Sequence, residues 1–191
     1  MIRPYAKPMP EGCDLRALIA DVVPRLETDR LILRAPRAED FDTLAEIWRT
    51  DRGQFIGGPF DEEAAWLDFA QCVAGWVLWG AGYWTVVQKS DSTVVGLVGF
   101  GWEVTDAERE LGWLFVKEAE GKGLAFEASQ AALDYAFGTL GLRTLISSVD
   151  KANVRSIALA KRLGATEDPQ AVLPQYRDED TAYRHLSGAA A

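Results

Sequence analysis

The apolar pattern changes period near residue 120, and this change constrains the fold more than any other feature of the chain. Residues 83–87, 94–102 and 111–116 are short β-favouring runs. Ser90, Asp91 and Ser92 turn the first into the second, and the loop 104–108 leads to the third. Three consecutive strands joined this closely predict an antiparallel meander. Then Leu124, Ala128, Ala131, Ala132, Tyr135 and Ala136 recur at helical spacing. Gly138 and Gly141 are placed to stop that helix. Residues 145–149 read as a buried strand, and residues 153–163 as a helix with Asn153 at its N-cap and Gly164 just past its end. A strand–helix–strand run after a meander implies an α/β (α+β) chain with a mixed, mostly antiparallel sheet and helices on both faces.

The rest of the chain extends this frame at both ends. Residues 30–34 read as a strand ending before Pro36, which opens a helix whose buried face is Phe41, Leu44, Ala45 and Trp48. Residues 53–58 read as a loop. Asp61, Glu62 and Glu63 begin a second helix, where acids favour the helix dipole, with Trp66, Phe69, Val73 and Trp76 as its apolar stripe. Weak strands at 165–168 and 181–186 bring the expected sheet to six or seven strands. The expected organisation is an N-terminal arm over residues 1–26, one domain over 27–187 and a tail over 188–191.

Composition narrows the function classes. The chain has 191 residues, 48% of them hydrophobic and 26% charged, which suits one globular domain and no disordered or fibrous class. Lys plus Arg is 20 against 29 Asp plus Glu, a formal charge of −9. A nucleic-acid partner is therefore not expected, because phosphate backbones need a basic face. Cys13 and Cys72 form no CxxC pair and read as ordinary reduced thiols. No apolar run is long enough to span a membrane, and the N-terminus lacks the apolar core of a signal peptide. The expected compartment is cytoplasmic, with no membrane partner. His185 is the single histidine and has no Cys or second His at ligand spacing, so no metal is expected.

The chemistry-bearing stretch is Glu110-Leu-Gly-Trp-Leu-Phe-Val116 followed by Glu120-Gly-Lys-Gly-Leu-Ala125. A strand runs into a glycine loop that enters a helix. Glycines let a ligand approach the backbone, and a helix N-terminus offers unpaired N–H groups to an anion. A nucleotide P-loop needs Lys followed by Ser or Thr after its second glycine, which is absent here. The dinucleotide G-x-G-x-x-G fails at Phe126. The segment resembles a third pattern, [Gln/Arg]-x-x-Gly-x-[Gly/Ala], the coenzyme A loop of the GCN5-related N-acetyltransferases (GNAT). Glu120 departs from it, and its side chain is expected to turn to solvent.

Further words support the resemblance. Residues 150–164, with Asn153, Ser156 and the Leu163-Gly164 pair, resemble the family's second motif. Residues 27–34, 55–59 and 183–185 resemble words of the ribosomal-protein N-terminal acetyltransferase branch. The resemblance implies a GNAT fold, with the sheet splayed between its fourth and fifth strands, here 111–116 and 145–149. It implies acetyl-CoA as cosubstrate and an amine acceptor, attacked directly in a ternary complex. Glu110 is then the candidate base, with Glu103 and Asp106 as alternatives, and Ser156 the candidate acid. Tyr135 and Tyr183 are weaker candidates for that acid. Phe115 and Val116 are expected to bind pantetheine through their main chain. Gly121, Lys122, Gly123, Leu124 and Ala125 are expected to hold the pyrophosphate, and Asn153 to contact the coenzyme. Each has a plainer reading: a strand-end carboxylate, a first-turn serine, a solvated lysine, a helix cap. The acceptor, a small-molecule amine or a protein N-terminus, is expected to enter beside residues 55–82. A homodimer is compatible with the resemblance, though no surface patch marks one. A non-catalytic acyl-CoA sensor and a transferase of longer acyl groups remain alternatives.

Overall fold

A computed structural model describes residues 16–188. Cys13, most of the arm and the last three residues of the tail lie outside the described residues. The elements run α1 (Arg16–Val22), β1 (Leu26–Glu27), β2 (Leu31–Arg34), α2 (Asp40–Arg49), α3 (Glu62–Leu78), β3 (Tyr83–Gln88), β4 (Val94–Gly101), β5 (Glu110–Phe115), α4 (Leu124–Asp134), β6 (Thr144–Asp150), α5 (Val154–Arg162), β7 (Thr166–Glu167) and β8 (Asp180–Leu186). The sheet has eight strands in the order β1-β2-β3-β4-β5-β6-β8-β7. The expected meander is β3-β4-β5. The strand beyond the expected count is β1, whose two residues pair with Leu33 and Ile32. A strand that short carries no period a sequence can show.

The parallel contact between β5 and β6 is the exception in an otherwise antiparallel sheet. It consists of a single register pair, Glu110 with Ile146. Beyond that pair the two strands diverge, where the expected splay falls.

β3 and β4 are buried along nearly their whole length, so both faces of the sheet are covered there. Thr85 reaches Asp40 of α2 on one face. Trp84 packs against Tyr135, just past the end of α4, on the other. Phe41 and Trp48 of α2 meet Trp66 and Phe69 of α3 in an aromatic cluster with centroids 5.2 to 6.4 Å apart. The core is divided. A large cluster lies under β2–β5, α2, α3 and α4. A small one, of Val149, Ala160, Ala165 and Tyr183, lies under β6, β8 and α5. Leu145, at the start of β6, and Leu163 still belong to the large cluster, and Trp113 packs on both clusters, so the seam between them opens only beyond the register pair.

Two local expectations change. Pro36 does not open α2, which begins at Asp40; the Asp40 carboxylate accepts from the Arg37 N–H at 2.8 Å and ties down the turn before the helix. Residues Asp51–Ile56 form a 3-10 turn rather than an open loop, with the Thr50 side chain capping Arg52 N–H. The end of the arm packs on its own domain: Val23 is buried in the main core, and the Pro24 carbonyl accepts from Trp84 Nε1 at 2.6 Å.

Asp40 is the main buried charge of this half. Its oxygens also accept from Arg34 Nη1 and Nη2 at 2.8 and 2.7 Å and from Thr85 Oγ1 at 2.7 Å. Removing it leaves the hydroxyl without its acceptor and the guanidinium with Ala35 O alone, at 2.9 Å. Asp40→Ala is expected to cost about 3 kcal/mol of folding stability in urea unfolding. A midpoint equal to the parent's contradicts this account of the network.

Candidate active site

The splay opens into a cleft of about 1000 Å³ that runs from the glycine loop to the helix α3. Its near wall is β5. Val116 N–H donates to Val95 O across β4, and antiparallel bonding alternates. The backbone groups of Leu111, Trp113 and Phe115 therefore face away from β4 and toward β6. Leu111 O is met by Ser147 Oγ at 2.7 Å, and Phe115 O by Arg52 Nη2 at 2.5 Å.

At one end lies the glycine loop. Gly121 and Gly123 take φ of +70° and +74°, a region that side chains other than glycine's avoid. The first bond of α4 runs from Glu127 N–H to Gly123 O. The N–H groups of Leu124, Ala125 and Phe126 therefore precede the helical ladder and stay open. Arg30 braces the loop from behind, donating to Lys122 O at 2.9 Å and pairing with Glu127 at 2.6 Å. This cradle of strand-facing backbone and open helix N–H groups fits a diphosphate.

At the other end stands Glu110. Both its oxygens accept from Arg177 Nη1 at 2.8 Å, and Arg177 Nη2 lies 3.5 Å from Glu103. Burial pushes the Glu110 carboxyl up to about 7; Arg177 opposes the rise, and Asp106 and Glu103 add to it. Burial likewise raises Glu103 and Asp68. Trp79 and Trp102 meet edge to face, with centroids 5.9 Å apart, and both line this end with Cys72, Gly82 and Tyr83. The Tyr83 hydroxyl occupies the space over Gly112, where a Cβ would come within 2.0 Å of it. Between the two ends, Trp113 Nε1 donates to Ser156 Oγ at 3.2 Å. Asn153 caps α5 by accepting from Ser156 N–H at 3.2 Å.

The family profile of the Acetyltransferase (GNAT) domain matches residues 30–166. The chain belongs to the GNAT acetyltransferase family. An uncharacterized N-acetyltransferase, p20 of Bacillus licheniformis, is 30% identical over 142 residues, 72% of this chain and 80% of that protein. The crystal structure of an acetyltransferase from Agrobacterium tumefaciens superposes with a TM-score of 0.80 at 37% identity, covering 85% of this chain and 94% of that one. A spermidine N-acetyltransferase from Vibrio cholerae, solved with CoA and spermine, shares the fold with a TM-score of 0.65 at 18% identity, covering 85% of this chain and 98% of that one.

Within this GNAT fold the structure brings Glu110, Phe115, Gly121, Gly123, Leu124, Ala125, Asn153 and Ser156 onto one cleft. Val116 and Lys122 do not line it; they face a smaller depression on the other side with Glu118. Val116 cannot offer its main chain to a ligand: its N–H is bonded to Val95 O, and its carbonyl accepts from Ala119 N–H. The alternation leaves the main chain of Trp113 and Phe115, not that of Val116, facing the gap. Glu120 does not turn to solvent. It pairs with Arg52 at 2.5 Å and Arg155 at 2.6 Å. Sequence reasoning missed Arg52, Arg177 and Tyr83. The two arginines come from segments distant in sequence, and no spacing links either to its carboxylate. Among the described residues no group of His, Cys, Asp and Glu could hold a metal ion, and no helix is long and apolar enough to cross a membrane.

His185 is a buried β8 residue that shares Ser147 with the cleft wall. Ser147 Oγ lies 3.1 Å from its Nε2, while Nδ1 has no partner. Burial lowers its pKa to about 4. The unfolded chain therefore takes up this proton first, so His185 contributes stability above pH 6.5 that is lost as pH falls through about 4. Glu110 has the opposite sign: its raised pKa contributes stability at low pH that is lost as pH rises from 4.5 through about 7. The two offset each other across the same window. His185→Gln is expected to expose the Glu110 slope, with unfolding free energy falling by about 2 kcal/mol between pH 4.5 and 7 relative to the parent's trend. Equal pH trends in variant and parent contradict the assignment.

Proposed function

We propose that this chain is an acetyl-CoA-dependent N-acetyltransferase that acetylates a primary amine by direct attack in a ternary complex. The observation that carries the reading is the layout of β5. Glu110 stands at its first residue, and the anion cradle follows its last, Phe115. Five residue steps separate Glu110 from Phe115, about 17 Å of extended strand, and the cradle lies past Phe115. A donor that engages both ends must carry an acyl group and phosphates separated by a long arm. A compact donor such as acetyl phosphate does not span that distance, whereas acetyl-CoA does.

When bound, acetyl-CoA supplies the activated acyl group as a thioester. The chain supplies the rest. An amine nucleophile carries a proton at neutral pH and must lose it to attack. Glu110, with a pKa near 7, is matched to taking that proton directly or through a water. Arg177 holds both its oxygens in one place. The main-chain N–H groups of Trp113 and Phe115 face the gap and can stabilise charge that builds on the carbonyl oxygen. Ser156 already accepts the Trp113 indole N–H, so its own hydrogen is free to be donated to the departing sulfur. The loop Gly121, Gly123, Leu124 and Ala125 holds the diphosphate, and Asn153 fixes the entry of α5 beside it.

The acceptor end favours a cation. Asp68, Glu103 and Asp106 line it beside Trp79 and Trp102, and the Trp102 ring already holds one cation, the Arg109 guanidinium, 3.9 Å from its centroid. This suits a small-molecule amine or a protein N-terminus, the chemistry of the ribosomal-protein branch that residues 27–34 resemble. Calorimetry with acetyl-CoA followed by thiol release across an amine panel tests the whole reading. Binding without turnover of any amine favours a sensor, and faster turnover of longer acyl-CoA donors favours a different acyl transfer.

Two variants test the parts. The rate of the parent is expected to rise with pH through about 7 as Glu110 loses its proton. Glu110→Gln should remove that limb and cut the rate at neutral pH by about 10²–10³-fold with acetyl-CoA affinity unchanged. A limb that persists in the variant takes Glu110 out of the role. Gly123→Val imposes a branched side chain on a backbone at φ +74° and is expected to weaken acetyl-CoA binding by about tenfold. Unaltered affinity contradicts the cradle.

A further inference from the structure

The residue that breaks the loop pattern sits in an ion cluster. Glu120 Oε1 takes Arg52 Nη1 at 2.5 Å and Arg155 Nη1 at 2.6 Å. Arg52 Nη2 bonds Phe115 O at 2.5 Å, and Arg52 Nε is buried with no partner. The three side chains come from three places: the 3-10 turn after α2, the loop before α4 and the first turn of α5. All three line the coenzyme end of the cleft.

The charge count at this end is unusual for an anion site. Arg52 and Arg155 give +2 and Glu120 gives −1, beside a loop of open N–H groups. Each guanidinium has five N–H donors, and the carboxylate occupies one from each. Of the other cleft arginines, Arg177 is held by Glu110 at the far end, and Arg162 lies over the Phe126 ring at 4.1 Å, beside the cradle and without a carboxylate in that contact. In a chain of net charge −9, Arg52 and Arg155 are the cations of this end that an internal carboxylate holds. A phosphate brought in beside an intact Glu120 meets a like charge next to the cradle. One that displaces the carboxylate meets two guanidinium groups whose planar forks suit phosphate oxygens. Glu120 is 35% exposed and Arg155 65%, so the carboxylate has solvent to move into.

We propose that Arg52 and Arg155 bind a phosphate of the coenzyme and that Glu120 is an internal anion that holds their place until the phosphate replaces it. This rests on the coenzyme reading above. In the family pattern the positive or amide side chain at the first loop position belongs to the loop itself. Here a carboxylate stands at that position, and the cations arrive from two other elements. Arg52 adds a second consequence. It releases Phe115 O when it turns to a phosphate, so the strand wall opens to the pantetheine arm in the same event.

Calorimetry with CoA on the parent, Glu120→Gln, the Arg52→Gln and Arg155→Gln double variant, and the triple variant tests the exchange. The expected results are about tenfold tighter binding for Glu120→Gln, about tenfold or more weaker binding for the double variant, and no gain from Glu120→Gln in the triple variant. Weaker or equal binding for Glu120→Gln overturns the proposal and makes Glu120 a positioning partner of the arginines. Equal binding for the double variant overturns it as well. A parent that binds no CoA overturns the coenzyme reading itself, and that outcome differs from parental binding without a Glu120 effect.

Discussion

The site depends on a strand pairing that stops after one residue. Glu110 and Ile146 register, and then β5 and β6 separate. A parallel pair that continued would use the backbone groups of Trp113 and Phe115 and close the cleft. The separation is held open by packing on both sides. β5 lies in the large core, whereas β6 starts in it at Leu145 and passes into the small cluster at Val149; Trp113 packs against both. Beyond the register pair the strands follow different packing, and side chains take over part of the missing ladder. Ser147 meets Leu111 O, and Arg52 meets Phe115 O. Buried main-chain groups must be paired. Unladdered groups on a fixed strand are therefore a binding surface supplied by the fold itself.

Charge is organised against the chain's average. The −9 balance opposes a polyphosphate ligand at long range. Contact interactions act over shorter distances than screened repulsion between scattered surface charges. The open N–H groups of α4, and two arginines at Glu120, concentrate positive potential at one end of β5. The carboxylates gather at the other, where Asp68, Glu103, Asp106 and Glu110 line the cleft with Arg177, and Arg109 stacks on Trp102. The cleft is thus polarised along its length. In the proposed reaction, a donor with anionic and acyl ends and an acceptor that arrives as a cation would be sorted to opposite ends by this gradient. The net charge of the whole chain says nothing about that order.

Much of this was legible in the sequence because it is local. The change of period at the glycine loop, the capping Asn153 and the placement of Gly121 and Gly123 are written within a few residues of one another. The splay followed from the family resemblance and not from any spacing. Pairings between distant segments were not legible. Arg177 on Glu110 and Arg52 on Glu120 join positions far apart, and a lone arginine carries no mark of its partner. Val116 fails for a different reason. Deciding which strand residues face a gap requires the bond alternation of β4 with β5, and sequence alternation fixes side chains without fixing main-chain direction. The expectation that Glu120 points to water is a default for acids in loops. It fails because two cations come to it from elsewhere in the fold.

One strand therefore carries three different kinds of information. Its side chain at residue 110 sets proton chemistry through burial and a clamped carboxylate. The glycine at residue 112 admits the Tyr83 hydroxyl across the sheet, so that the acceptor end is shaped from β3 as well. Its main chain at residues 113 and 115 faces the gap, while the Trp113 indole holds Ser156 Oγ and the Phe115 ring is buried in the core. Position 112 tolerates no larger side chain, because the Tyr83 hydroxyl fills that space. In the proposed reaction, donor recognition by backbone and acceptor recognition by side chains would divide along the same six residues. On that reading the acceptor end, built from α3, β3 and the turn before β8, can vary without disturbing the donor's backbone contacts.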